Sequence, residues 1–100
     1  VLWRFTHRFR TRDWPGKPLP ELYYDPRSLE RGAIKRSSLH AKCVVVDRRV
    51  AFVTSANFTE VAQTRNIEVG ALIHMARFPA RLAEHFEALA DAGLLKAIDL

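Results

Sequence analysis

The sequence predicts an α/β fold, a mixed sheet of about four strands with a C-terminal helix packed on one face. Three observations carry this. Val44-Val45-Val46 is a β-branched run, and Val50–Thr54 is almost wholly apolar. Phe78, Leu82, Phe86 and Leu89 recur at helical spacing near the C-terminus. Hydrophobic residues make up 48% of the 100-residue chain, which excludes a disordered tail and allows a single domain with a modest core.

The elements follow in order. Residues 1–20 are basic and aromatic, with Trp3, Arg4, Phe5, Arg8, Phe9, Arg10, Arg12 and Trp14. Apolar positions 1, 3, 5 and 9 suit a strand, and 1, 2, 5 and 9 suit a helix, so both remain open here. The stretch from Pro15 to Pro20 is a break. Glu21 to Asp25 reads as a short strand closed by Pro26, and Arg27 to Ser38 as a polar loop with Arg31, Gly32, Lys35 and Arg36.

Leu39 to Asp47 is the strongest strand. Asp47-Arg48-Arg49 is a reversal, and Val50 to Thr54 returns as a central strand covered on both faces. The pair forms a hairpin. A short helix follows, with Asn57 as N-cap and Glu60 three residues on. Ile67 to Ile73 is a strand with Val69, Ala71 and Ile73 on the face opposite Glu68. The last helix runs from Phe78 or Pro79 to Ala92, with Gly93 at its end.

The chemistry concentrates in Ser38–Asp47, which reads H-x-K-x-x-x-x-D. A strand sends alternate side chains to opposite faces, so His40 and Lys42 are expected on one side. That sets a nucleophile or proton shuttle beside a fixed cation. Cleaving a phosphodiester needs an attacking group, a proton donor for the leaving oxygen, and charge or donors on the non-bridging oxygens.

The set His40, Lys42, Asp47, Ser55 and Asn57 resembles the phospholipase D superfamily, whose recurring element is H-x-K-x4-D-x6-G-[SG]-x-N. Thr54 stands where the family usually has Gly, so the pocket is expected to be narrower there. Asn66-Ile67-Glu68 is similar to the family's later N-x-E. The resemblance implies half of a phospholipase-D-like domain. It implies catalytic positions at His40, Lys42, Asp47, Asn57 and Glu68, and phosphate binding by Lys42, Ser55 and Asn57. His40 is then the nucleophile that becomes a phosphohistidine, or the general acid, with Glu68 accepting from its other ring nitrogen. Asp47 is expected to be structural or to orient other groups. No metal or cofactor is implied.

The family builds its site from two copies of the motif, and one is present here. The second is expected from an upstream half or from a symmetry-related chain. The chain does not open on Met, and a C-terminal half of a two-motif protein is the favoured expectation.

Ser55-Ala56-Asn57-Phe58-Thr59 resembles the nuclease-like branch. The net charge of +5 fits a polyanionic partner such as nucleic acid, although ordinary solubility accounts for such a charge equally well. Within that branch, Leu39–Asp47 and His85-Phe86-Glu87-Ala88-Leu89 are similar to the phospholipase-D-like component of the DISARM anti-phage system. A lipid-active phospholipase or cardiolipin-synthase-like transferase is the alternative, as is a non-catalytic phosphate-binding half. Lipid-active relatives usually carry an aspartate and an Arg-Ser pair soon after the asparagine, where this chain has Phe58-Thr59-Glu60.

Neither a secretory leader nor a membrane span is expected, and the expected location is the cytoplasm. The single cysteine, Cys43, excludes an internal disulfide and is expected to face away from His40 as a small buried hydrophobe. His7, His74 and His85 are expected to be structural or exposed, and their scatter does not suit a metal.

Overall fold

The hairpin that carries the motif is built as its residues demand. Strand β2, Cys43–Val46, pairs antiparallel with β3, Val50–Thr54, in the register Cys43↔Val53 to Val46↔Val50. Asp47 and Arg48 both take left-handed backbone angles, φ 53° and 54°. Two consecutive positive-φ residues match the right-handed twist of the flanking strands and close the hairpin tightly. Arg49 N donates to Val46 O at 3.0 Å to complete the turn.

The computed structural model describes residues 1–30, 32 and 39–100. They fall into two compact units, residues 1–39 with 89–100, and residues 40–88.

In the second unit β3 is the central strand. It also pairs antiparallel with β4, Gly70–His74, in the register Val50↔His74 to Thr54↔Gly70. Ala51, at the middle of β3, is fully buried, and Ala56 and Ala62 join it in the small core. Helix α2, Glu60–Thr64, follows β3, and α3, Arg77–Asp91, follows β4. Pro79 lies in the first turn of α3, where its missing N–H costs no helical bond, and it is fully buried.

In the first unit the open choice for the N-terminal segment resolves as helix. Helix α1 spans Leu2–Arg8 and continues as a wider turn through Phe9–Asp13. Residues four and five apart then meet: Phe5 stacks on Phe9 at 5.7 Å, and Phe9 on Trp14 at 6.2 Å. Strand β1, Leu22–Tyr24, pairs antiparallel with β5, Lys96–Ile98, a strand the sequence reading missed. Gly93, at φ 77°, ends α3 with a left-handed residue, and Leu94 N then reaches back to Leu89 O at 2.9 Å.

Asp25 is buried and caps a single turn at Pro26–Leu29. It accepts from Arg27 N at 2.9 Å, and from Nε and Nη2 of the same guanidinium at 3.0 and 2.8 Å. The side-chain hydrogen bond with Arg27 holds the Asp25 carboxyl below its ordinary value, and the same bond raises Arg27. Most of the expected polar loop, residues 31 and 33–38 with Arg31, Lys35 and Arg36, lies outside the described residues.

The α/β class holds, but the sheet differs from expectation in three ways. Among the described residues the pairings are all antiparallel, in a three-stranded and a two-stranded sheet, in place of the single mixed sheet expected. The expected Leu39–Asp47 strand shortens to Cys43–Val46: past the Thr54 N to Lys42 O bond, the next donor on that edge, Ala56 N, goes to the Thr54 hydroxyl and the ladder toward residue 40 ends. The expected Ile67–Ile73 strand begins only at Gly70, because Val69 N donates to the Ser55 side chain instead of a backbone carbonyl.

Candidate functional site

His40 and Lys42 lie just before β2, in irregular backbone and not on a strand. They converge nonetheless. Lys42 O accepts from Thr54 N at 3.1 Å, one further rung past the Cys43–Val53 pair, and this pins Lys42 to the sheet end. The Lys42 ammonium donates to His40 O at 2.7 Å and lies 3.1 Å from Nδ1 and 3.3 Å from Nε2 of the His40 ring. The ring is exposed. Which ring nitrogen accepts depends on the tautomer, and the lone pair that accepts from this ammonium must be released before it can attack.

Both residues line a cavity of about 410 Å³ with Ser55 and Thr54. The opposite wall is apolar: Phe78, Leu82 and Phe86 of α3 face Cys43 and Val53 across it. The helical stripe expected as core packing therefore also walls this cavity. Cys43 lines the same cavity and is half-buried, where full burial was expected.

Glu68 sits on a different concavity of about 300 Å³ with Asn66, Gln63, Thr54 and Gly70. Its carboxylate accepts from the Ser55 hydroxyl, and from Asn66 Nδ2 at 3.4 Å. Among the described residues no hydrogen bond or ion pair joins Glu68 to His40. Ser55 bridges the two concavities, since it lines the first and bonds a carboxylate that lines the second.

Thr54 also touches both. Its hydroxyl donates to Val69 O at 3.3 Å and accepts from Ala56 N at 3.1 Å. A side chain at this position thus ties the end of β3 to the approach to β4. The sequence reading gave Thr54 no bonding role, although a hydroxyl at a strand end is a signal for such a tie.

Asn57 is exposed in the loop after β3 and lines neither concavity. Its backbone O accepts from Thr59 N at 2.8 Å. It is not the N-cap of α2, contrary to expectation. Thr59 holds that position, with its hydroxyl accepting from Ala62 N at 3.3 Å. Asp47 lies in the hairpin turn, at the opposite end of β2 from Lys42. Of the remaining histidines, His7 stacks on Trp3 at 6.1 Å, His85 meets Phe86 edge-on at 5.3 Å, and His74 is exposed on β4.

A family profile described as "Cardiolipin synthase, PLD-like domain" matches residues 17–90. The chain belongs to this phospholipase-D-like family. The match takes in His40, Lys42, Asp47, Asn57 and Glu68 together. DISARM protein DrmC of Bacillus paralicheniformis is similar to this chain, 46% identical over 43 residues. That similarity covers 43% of this chain and 18% of the DrmC protein. No solved structure matches the chain.

Among the described residues no group of three or more His, Cys, Asp or Glu side chains is placed to hold a metal ion. No helix among them is long and apolar enough to cross a membrane.

Proposed function

We propose that this phospholipase-D-like chain is half of a metal-independent phosphodiesterase that acts on nucleic acid through a phosphohistidine. The observation that carries the reading is the Lys42 ammonium within 3.1 and 3.3 Å of the two ring nitrogens of an exposed His40. A nucleophile and an anion-binding cation share one opening there.

In the proposed reaction a lone pair of His40 attacks phosphorus and the bond to the leaving oxygen breaks. The histidine of a second motif, in an upstream half or in a partner chain, gives its proton to that oxygen. Water then attacks the phosphohistidine, gives a proton back to the second histidine, and frees His40. Lys42 and Ser55 hold the non-bridging oxygens as charge builds on them, and Asn57, outside the cavity in this structure, joins them when the loop after β3 turns inward. Glu68 steadies the site from behind; each of its oxygens already accepts one bond, from Ser55 or Asn66, and keeps a second lone pair for the imidazole. The net charge of +5 favours a polyanionic substrate, and the similarity to DISARM protein DrmC supports a role in anti-phage defence.

A second reading has its own support. The Phe78, Leu82 and Phe86 wall beside His40 suits an acyl chain, and the family description names a cardiolipin synthase. A lipid phosphodiester is therefore tested in parallel.

The test uses the longest natural polypeptide that contains this chain, in EDTA, with plasmid DNA, single-stranded DNA, RNA and phosphatidylglycerol. Nucleic-acid cleavage that disappears in His40→Ala, with an acid-labile phosphoryl group trapped on His40, is the expected result. Turnover of lipid alone moves the assignment to the second reading. Binding without turnover on any substrate overturns both and leaves a phosphate-binding half.

A further inference from the structure

We infer that Gly70 is a positioning residue for this site: its missing side chain lets Thr54 sit opposite, and that close approach brings Ser55 to Glu68. The inference deepens the phosphodiesterase reading and rests on it only for the activity measurement.

Gly70 pairs with Thr54 in the last rung of the β3–β4 ladder. A Cβ placed on Gly70 would lie 3.0 Å from Thr54 Cβ, 3.0 Å from Val53 O and 3.0 Å from Phe52 Cε2. Real Cβ atoms are almost never closer than this, so the neighbours must give. They differ in how easily they do so. The Phe52 ring edge swings on its side-chain torsions. Val53 O is backbone of the central strand, and Thr54 Cβ is fixed to backbone and branched, with little rotamer freedom to offer. Gly70 is not at positive φ, so the requirement is for space and not for a special backbone angle.

The easy relief is for β4 to move away from β3 at this end. Everything that joins Ser55 to the approach of β4 lies there. Ser55 N donates to Val69 O at 3.0 Å, Val69 N to Ser55 Oγ at 3.2 Å, and Thr54 Oγ1 to Val69 O at 3.3 Å. The Ser55–Glu68 hydrogen bond hangs on these three. A methyl group at residue 70 therefore loosens the link between the His40 concavity and the Glu68 concavity, and none of its three nearest neighbours belongs to His40 or Lys42.

The experiment compares Gly70→Ala, Thr54→Gly, Thr54→Ala and the doubles Gly70→Ala/Thr54→Gly and Gly70→Ala/Thr54→Ala. Amide hydrogen exchange at Ser55 and Val69 is read without substrate, on the chain itself, so the result stands even if the phosphodiesterase reading fails. We expect Gly70→Ala to speed exchange at both amides about tenfold or more, the mark of local opening. In the active parent it lowers kcat about tenfold to a hundredfold with little change in KM, as a displaced catalytic group does. Thr54→Gly restores much of the loss because it removes the opposing Cβ, whereas Thr54→Ala keeps that Cβ and restores none. If Gly70→Ala does not fold, recovery of folded protein only in the Thr54→Gly double supports the pairing. Unchanged exchange in Gly70→Ala, or equal rescue by Thr54→Ala and Thr54→Gly, overturns it.

Discussion

The Ser55 hydroxyl donates to the Glu68 carboxylate, thirteen residues away in sequence, while the same oxygen accepts from Val69 N at 3.2 Å. Ser55 thus ties together two motif segments, independently of the phosphate contact proposed for it. Residues that share one hydrogen-bond network do not contribute independently. In a double-mutant cycle, Ser55→Ala and Glu68→Ala should show a coupling free energy of about 1 kcal/mol in urea unfolding. Strictly additive losses would count against the bridge.

Asn57 and Thr59 separate structure from chemistry. Thr59 caps α2, and removing a cap hydroxyl costs about 1 kcal/mol. Thr59→Ala should therefore lower the unfolding midpoint, and Asn57→Ala should leave it nearly unchanged. Under the proposed reading of Asn57 as a phosphate donor, cleavage shows the opposite order, with Asn57→Ala losing about a hundredfold in single-turnover rate. The two measurements, thermal unfolding and single-turnover cleavage, are made on the same pair of variants.

The limits of the sequence reading have physical causes. Helix α3 was legible because its Phe78–Leu82–Phe86–Leu89 stripe runs along most of its fifteen residues, and the hairpin because Val44-Val45-Val46 and Val50–Thr54 flank a short reversal. Strand ends were not legible, since a ladder stops where a backbone N–H finds a side chain, as Ala56 N does at Thr54 and Val69 N at Ser55. Strand β5 is three residues long, so its period carries no signal, and it exists by pairing with β1. Asn57 and Thr59 are both good caps by residue type; the position of Ala62 N decides between them. His40 and Lys42 were legible as a pair because two residues of spacing suffices to bring them together, even in irregular backbone. The partner of Glu68 was not, because Ser55 reaches it only after β3 and β4 pair.

Asp47 offers a sharper division between fold and chemistry. It sits at φ 53° in the hairpin turn, at the far end of β2 from Lys42. Asn tolerates left-handed backbone about as well as Asp, and a β-branched residue does not. Asp47→Asn should retain both stability and cleavage. Asp47→Val should lose about 1–2 kcal/mol of stability. A large loss of cleavage in a fully stable Asp47→Asn protein would instead make the carboxylate a functional group.

The Asp25–Arg27 pair gives the chain a predictable acid sensitivity. Arg27 holds the buried Asp25 carboxyl below its ordinary value of 3.8. A carboxylate depressed in the folded state binds its proton more weakly there than in the unfolded chain. The unfolded state then takes up the proton first as pH falls. The stabilisation is fully present above the unfolded value near 3.8, and it is lost as pH drops through the lower folded value. Asp25→Asn cannot carry that charge. It should be less stable than the parent at neutral pH and should show a flatter stability profile below pH 4. Urea midpoints measured for both proteins across the acid range provide the check, and parallel curves would show that the pair does not drive the response. Lys96 and the rest of β5 report on the same event, because β5 pairs with the strand that leads directly into Asp25. Amide exchange at residues 96–98 should therefore accelerate over that pH interval in the parent more than in Asp25→Asn, after correction for the intrinsic effect of pH on exchange.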